Sequence, residues 1–288
     1  MATPVFAAAN ANAGRIETLT PFGPDQDTAM RVRLFLPPGY DATDRLHQTL
    51  YLLDGQYAFS ADSNGINFGA DQRVARLMAA GTIPPTVVVA IDNLEDNRFV
   101  QYMPQSIYDR ANREVRATVE RDLARVGADS LVSGDFIRFL EDRLKPYIDK
   151  RYHTSSDRID TAIFGASMAG VMSGAILVEA QDSFGRCACM SPNWAIYDER
   201  FIDHESLPTL WSEYFSQLGA PDGRRLWLDH GTEMMDAGMR PHQVAIAGSL
   251  ADLGWRRGCN LQTRIYEAGH AFAETAVQMD EVLAWLLA

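Results

Sequence analysis

Short apolar runs and longer amphipathic stretches alternate along most of this chain. The segment "RVRLFLP" (31–37) alternates polar and apolar side chains, as a half-exposed strand does, and ends in the turn "PPGY". The segments "TLYLLDG" (49–55), "TVVVAID" (86–92), "IDTAIFG" (159–165), "GRCACMS" (185–191), "RLWLDHG" (225–231) and "LQTRIYEAG" (261–269) end in polar or glycine positions. Most are nearly continuous in apolar residues. Runs of that length suit central strands of a parallel sheet, which helices cover on both faces. Helical spacing fills the gaps. In "GDFIRFLEDRLKPYIDKRY" (134–152), Phe136, Phe139, Leu140, Leu144, Tyr147 and Ile148 share one face. "MAGVMSGAILVEA" (168–180) is small and apolar, as a helix pressed against a sheet should be. "RPHQVAIAGSLADLG" (240–254) ends at a glycine suited to a helix C-terminus, and "AETAVQMDEVLAWLLA" (273–288) closes the chain.

This alternation predicts an α/β fold with an open, mostly parallel central sheet and helices on both faces. No repeat or linker divides it, so a single domain over 1–288 is expected. The stretch 93–133 is longer than an ordinary connection and carries the charged run "DRANREVRATVERDLARV". It reads either as a solvated helix with loops or as a cap-like insertion over the strand ends.

Composition narrows the function classes. Of 288 residues, 47% are hydrophobic and 22% charged, as in an ordinary globular protein. A formal net charge of −12 argues against nucleic acid and anionic membrane surfaces as partners. No apolar run approaches the ~20 residues of a membrane span. The opening "MATPVFAAANANAGR" lacks a basic segment followed by a long apolar one, so no signal peptide is read. Cys187, Cys189 and Cys259 make no disulfide framework, and the first two point to one face of a strand, as packing residues. A reducing, cytoplasmic setting is the expectation.

In an open α/β sheet, ligands bind beyond the carboxyl ends of the strands. Ser167 follows "IDTAIFG"; Asp229, Glu233 and Asp236 end or follow "RLWL"; His270 follows "LQTRIYEAG". Serine is also a favoured helix N-cap, so Ser167 alone decides nothing. The order serine, acid, histidine is that of α/β-hydrolases. His47 and His204 sit in polar stretches, His153 follows a helix, His230 adjoins a strand end and His242 lies in a helical run. His270 combines a post-strand glycine with a place just before the last helix. A serine hydroxyl needs an imidazole to take its proton, and the imidazole needs a carboxylate to hold its tautomer. The oxyanion that forms needs N–H donors, one of them from the residue after the serine.

Together "VRLFLPPGY", "LYLLDGQ", "FGASMAG", "LDHGTEMMDA" and "EAGHAFAE" resemble the putative-esterase family of α/β-hydrolases, over roughly residues 30 to 288. That family includes esterase D, enterochelin-type siderophore esterases, feruloyl esterases and antigen 85-like mycolyltransferases. The resemblance implies an α/β-hydrolase fold and a serine carboxylic-ester hydrolase without metal or cofactor, working through an acyl-enzyme. It implies Ser167 as nucleophile, His270 as base, and the backbone N–H groups of Gln56 and Met168 as oxyanion hole. For the acid, Asp236 matches best and Glu233 is the alternative, with Asp229 as a third carboxylate close by. Ala169 stands where the strict Gly-x-Ser-x-Gly pattern has its last glycine. Asp54, Gly55, Arg98, Tyr102 and Trp194 are expected around a small-molecule ester. The absence of a long apolar lid favours soluble esters with short or aromatic acyl groups. An acyltransferase or thioesterase using the same acyl-enzyme, and a non-catalytic binding protein of the same fold, are the competing readings.

Overall fold

The computed structural model describes residues 14–23, 29–60, 67–196 and 206–288. His204 and the opening stretch up to residue 13 lie outside the described residues. Eight strands form one sheet: β1 (Arg15–Phe22), β2 (Met30–Leu36), β3 (Gln48–Leu53), β4 (Thr86–Ile91), β5 (Thr161–Ala166), β6 (Arg186–Met190), β7 (Arg225–Gly231) and β8 (Leu261–Tyr266). Their order is β1-β2-β4-β3-β5-β6-β7-β8. The β2 strand pairs antiparallel with both β1 and β4, and every pairing from β4 to β8 is parallel. Every residue of β3, β4 and β5 is buried, which is why these strands read as unbroken apolar runs.

The helices are α1 (Ala70–Ala79), α2 (Arg98–Tyr102), α3 (Gln105–Arg110), α4 (Arg113–Val126), α5 (Ser133–Phe139), α6 (Lys145–Arg151), α7 (Met168–Glu179), α8 (Ser206–Ser216), α9 (Arg240–Asp252) and α10 (Phe272–Leu287). The single helix expected over 134–152 is observed as α5 and α6 joined by the wider π turn Leu140–Leu144. One face of the sheet packs against α1 and α10 through Val74, Met279, Leu283 and Leu286, with Phe68 just ahead of α1 in the same core. On the other face, residues from α2 through α9 join the sheet in one larger core.

The stretch 93–133 belongs to that larger core. Val100, Tyr102, Met103, Ile107, Val115, Val119 and Leu131 are buried in it together with residues of α7. Most charged positions of α3 and α4 are exposed, whereas Arg98 of α2 is half-buried. Helix α4 begins at Asn112, whose side chain accepts the N–H groups of Glu114 and Val115, and stops at Gly127 in the left-handed conformation.

Candidate active site

Three strands carry their following loops to one end of the sheet. Between β5 and α7 the chain turns in a single residue, so Ser167 holds φ 60° and ψ −127°, a conformation that L-residues rarely adopt. The turn is this tight because Gly165 has no side chain: a Cβ there would stand 2.2 Å from the Ala169 carbonyl oxygen and 2.7 Å from Ser173 Oγ. The strict pattern needs its first glycine here, whereas Ala169 is accommodated, wholly buried, on the helix side. The Ser167 N–H donates to the Met190 carbonyl at 3.0 Å, fixing the turn to β6.

His270 lies in the loop between β8 and α10. Its neighbours are held by Glu274, whose carboxylate accepts the N–H groups of Gly269 and Ala271. Nε2 of His270 is 2.7 Å from Ser167 Oγ, and Nδ1 is 2.5 Å from Asp236 Oδ1. Asp236, 1% exposed, sits in the short 3-10 turn Met234–Gly238 after β7. Its Oδ2 accepts Ser191 Oγ at 2.5 Å and the Gly231 N–H at 2.8 Å. Burial pushes the Asp236 carboxyl up, but hydrogen bonds from His270, Ser191 and Gly231 outweigh that and hold it below the ordinary aspartate value. Serine, imidazole and carboxylate thus form one continuous hydrogen-bonded chain.

The other candidate acids stand apart from His270. Glu233 is exposed, its N–H donating to the Ala268 carbonyl. Asp229 is fully buried, accepting the Ser191 N–H at 2.7 Å and Trp227 Nε1 at 2.6 Å. Burial raises its carboxyl to about 7. Asp229 therefore holds backbone, in this case that of Ser191. Ser191 itself, at φ 41°, reaches Asp236 and lies 2.9 Å from His270 Nδ1. Sequence reasoning passed over it, although a polar residue at the carboxyl end of "GRCACMS" was a usable signal.

A cavity of about 340 Å³ opens over Ser167, walled by Asp54, Tyr57, Arg98, Ala166, Ser191, His270, Phe272 and Thr275. Tyr57 and Phe272 meet edge to face, with centroids 5.0 Å apart, and Phe68 lies against Phe272 at 4.3 Å. Two expected wall residues stand elsewhere, because their rings are drawn into the core. Tyr102 is wholly buried, its hydroxyl accepting the Asp54 N–H at 3.2 Å. Trp194 is equally buried against Trp211 and Phe215. Gly55 is backbone packed on β4, where a Cβ would come within 2.5 Å of the Ile91 nitrogen. Arg98 does reach the cavity, but its guanidinium grips Asp54 with two bonds, 2.8 and 2.6 Å long.

Met168 is the first residue of α7, so its N–H has no partner within the helix, and the helix dipole favours negative charge beside it. Gln56 lies in the 3-10 turn Gly55–Tyr57 after β3, its side-chain oxygen accepting the Asn93 N–H. Among the described residues, no three His, Cys, Asp or Glu side chains gather as a metal site would require. Cys187 and Cys189 are buried free thiols, with Sγ atoms 3.5 Å apart. Among the described residues no helix is long and apolar enough to cross a membrane.

Residues 25–286 match the model of the family described as Putative esterase. No curated protein matches the chain. Among solved structures, it resembles an IroE-like serine hydrolase from Shewanella oneidensis (17% identity, TM-score 0.66, 95% of this chain and 80% of that one). A ferulic acid esterase superposes with TM-score 0.61 at 16% identity, covering 95% of this chain and 98% of that one. The enterobactin esterase FES from Shigella flexneri, in the presence of enterobactin, gives TM-score 0.64 at 16% identity over 94% of this chain. The match spans 58% of that longer protein. At these identities the likeness establishes the fold, that of α/β-hydrolase-like esterases.

Proposed function

The chain belongs to the putative-esterase family, and from that premise we propose that it hydrolyses carboxylic esters through an acyl-enzyme on Ser167. The observation that carries this reading is the hydrogen-bonded chain from Ser167 Oγ through His270 to Asp236. Ser167 Oγ attacks the ester carbonyl carbon as its proton passes to His270 Nε2. Asp236 holds the Nδ1 proton and offsets the charge of the imidazolium. The N–H groups of Met168 and Gln56 donate to the oxyanion. Collapse breaks the bond to the alkoxy oxygen, which leaves as the alcohol with the proton from His270. Water, deprotonated by His270, then attacks the acyl carbonyl, releasing the acid and restoring Ser167.

The substrate is a soluble ester with a short or aromatic acyl group. The aromatic edge made by Tyr57 and Phe272 supports an acyl group that packs flat against it. The presence of a ferulic acid esterase among the structural neighbours agrees with this. The test is hydrolysis of p-nitrophenyl acetate by the wild-type chain and by His270→Ala. Turnover should fall by at least about 10⁴-fold in the variant. Comparable turnover in both would contradict the proposal.

A further inference from the structure

Arg98 was expected among the residues around a small-molecule ester; its contacts describe a different task. The residue after β3, Asp54, holds the left-handed conformation (φ 55°, ψ 46°), and this aims the following turn, Gly55–Tyr57, toward the cavity. A non-glycine residue persists there only when its surroundings over-determine it. They do, and the contacts to Asp54 itself come from one segment, while Arg33 of β2 donates to the neighbouring Gly55 carbonyl. The Tyr102 hydroxyl accepts the Asp54 N–H, Asn93 Nδ2 donates to Oδ1 at 2.7 Å, and Arg98 donates to both carboxylate oxygens. The Asn93 N–H also meets the side chain of Gln56 at 3.2 Å.

Arg98 has one more contact. Its Nη2 lies 3.3 Å from the carbonyl oxygen of Ala166, the residue before Ser167. One guanidinium therefore touches both turns whose N–H groups serve the oxyanion, at Gln56 and Met168. The Asp54 side chain is 4% exposed and that of Arg98 29%, so the pair is only partly screened by water. Over the Tyr102 ring, 5.4 Å from its centroid, the guanidinium is oriented from a second side. Having spent both of its carboxylate-facing nitrogens on Asp54, Arg98 presents little free charge to a ligand.

We propose that Arg98 is a positioning residue, a brace that sets the spacing of the two oxyanion-hole turns, and that the segment 93–102 serves the reaction by holding this brace. The proposal rests on the serine-hydrolase reading. A brace that fixes donors acts where the oxyanion forms, so its loss appears in kcat. A substrate-binding cation would appear in KM, most strongly for anionic substrates.

The experiment compares wild type, Arg98→Ala and Arg98→Lys with p-nitrophenyl acetate, and measures inhibition by an alkylboronic acid, which forms a tetrahedral anion on an active serine. Arg98→Ala should lower kcat by about 10²-fold, the scale of one misplaced oxyanion donor, with KM within about threefold. Boronate affinity should weaken in proportion to kcat. Lysine, a point charge without the planar fork, should recover part of the loss. Should Arg98→Ala fail to fold, the kcat deficit in Arg98→Lys decides. Unchanged kcat in folded variants, or a rise in KM with kcat and boronate affinity retained, overturns the brace. Failure of a fluorophosphonate to label Ser167 in the wild type would instead overturn the serine reading on which it stands.

Discussion

Replacing Asp236 by asparagine changes one atom, and the geometry says which way the amide must turn. Three donors surround the carboxylate: His270 Nδ1 at Oδ1, with Ser191 Oγ and the Gly231 N–H at Oδ2. The Gly231 N–H can only donate, so the amide NH2 cannot face it without leaving two donors opposed in a buried site. The amide oxygen therefore takes the Oδ2 position and the NH2 group faces His270 Nδ1. Nδ1 must then accept, which moves the imidazole proton to Nε2. That nitrogen, 2.7 Å from Ser167 Oγ, can no longer take the serine proton. This tautomer exchange costs serine hydrolases about 10⁴ in kcat, or about 5.4 kcal/mol of barrier. The assay is kcat on p-nitrophenyl acetate, with a thermal melt to establish that the variant is folded. Glu233→Gln, a change at an exposed carboxylate, should stay within about twofold of wild type. Turnover of Asp236→Asn within tenfold of wild type, or a thousandfold loss in Glu233→Gln, would refute the reasoning.

Three further outcomes follow from the same geometry. Gly165→Ala places a methyl group 2.2 Å from a backbone oxygen, so it should displace the Ser167 turn, lower kcat at least about 10²-fold and lower the melting temperature; Ala169→Gly should keep near-normal turnover and lose about 1 kcal/mol by chemical denaturation. Asp229, at about 7 in the fold against ~3.9 for a free aspartate, favours folding below about pH 4, and that contribution is lost as pH rises through 7. Urea midpoints at pH 5 and pH 8 should therefore separate more in wild type than in Asp229→Asn, and equal separations would count against it. On a common leaving group, rates should be highest for short and aromatic acyl chains; rates climbing steadily to long chains, with a jump at emulsion surfaces, would contradict the substrate class.

The parallel strands were legible because burial on both faces leaves almost no polar position in β3, β4 and β5. The edge strand β1 was not, since its pairing with β2 shifts register between Leu19 and Phe22, breaking the alternation a reader would count. Ser167 and His270 could be singled out because each follows a strand, at the carboxyl ends where ligands bind in such a sheet. Which of Asp236 and Glu233 meets His270 was not legible, because both follow β7 in a turn whose direction depends on Gly231 and the loop around Ala268. Trp194 and Tyr102 misled for another reason. Large aromatic side chains near a strand end serve a cavity or a core equally well by composition, and here the core took them. The bidentate bond between Arg98 and Asp54 joins positions 44 apart, beyond anything periodicity can register.

The central claim is a covalent acyl-enzyme on one serine, and intact-mass labelling tests it most directly. Wild-type protein treated with a fluorophosphonate should gain the mass of one label, located by peptide mapping at Ser167, with loss of esterase activity in step. Ser167→Ala, folded by its thermal melt, should take up no label and lose about six orders of magnitude in turnover. Labelling of Ser167→Ala at the wild-type rate, or esterase activity surviving in it, would contradict the account.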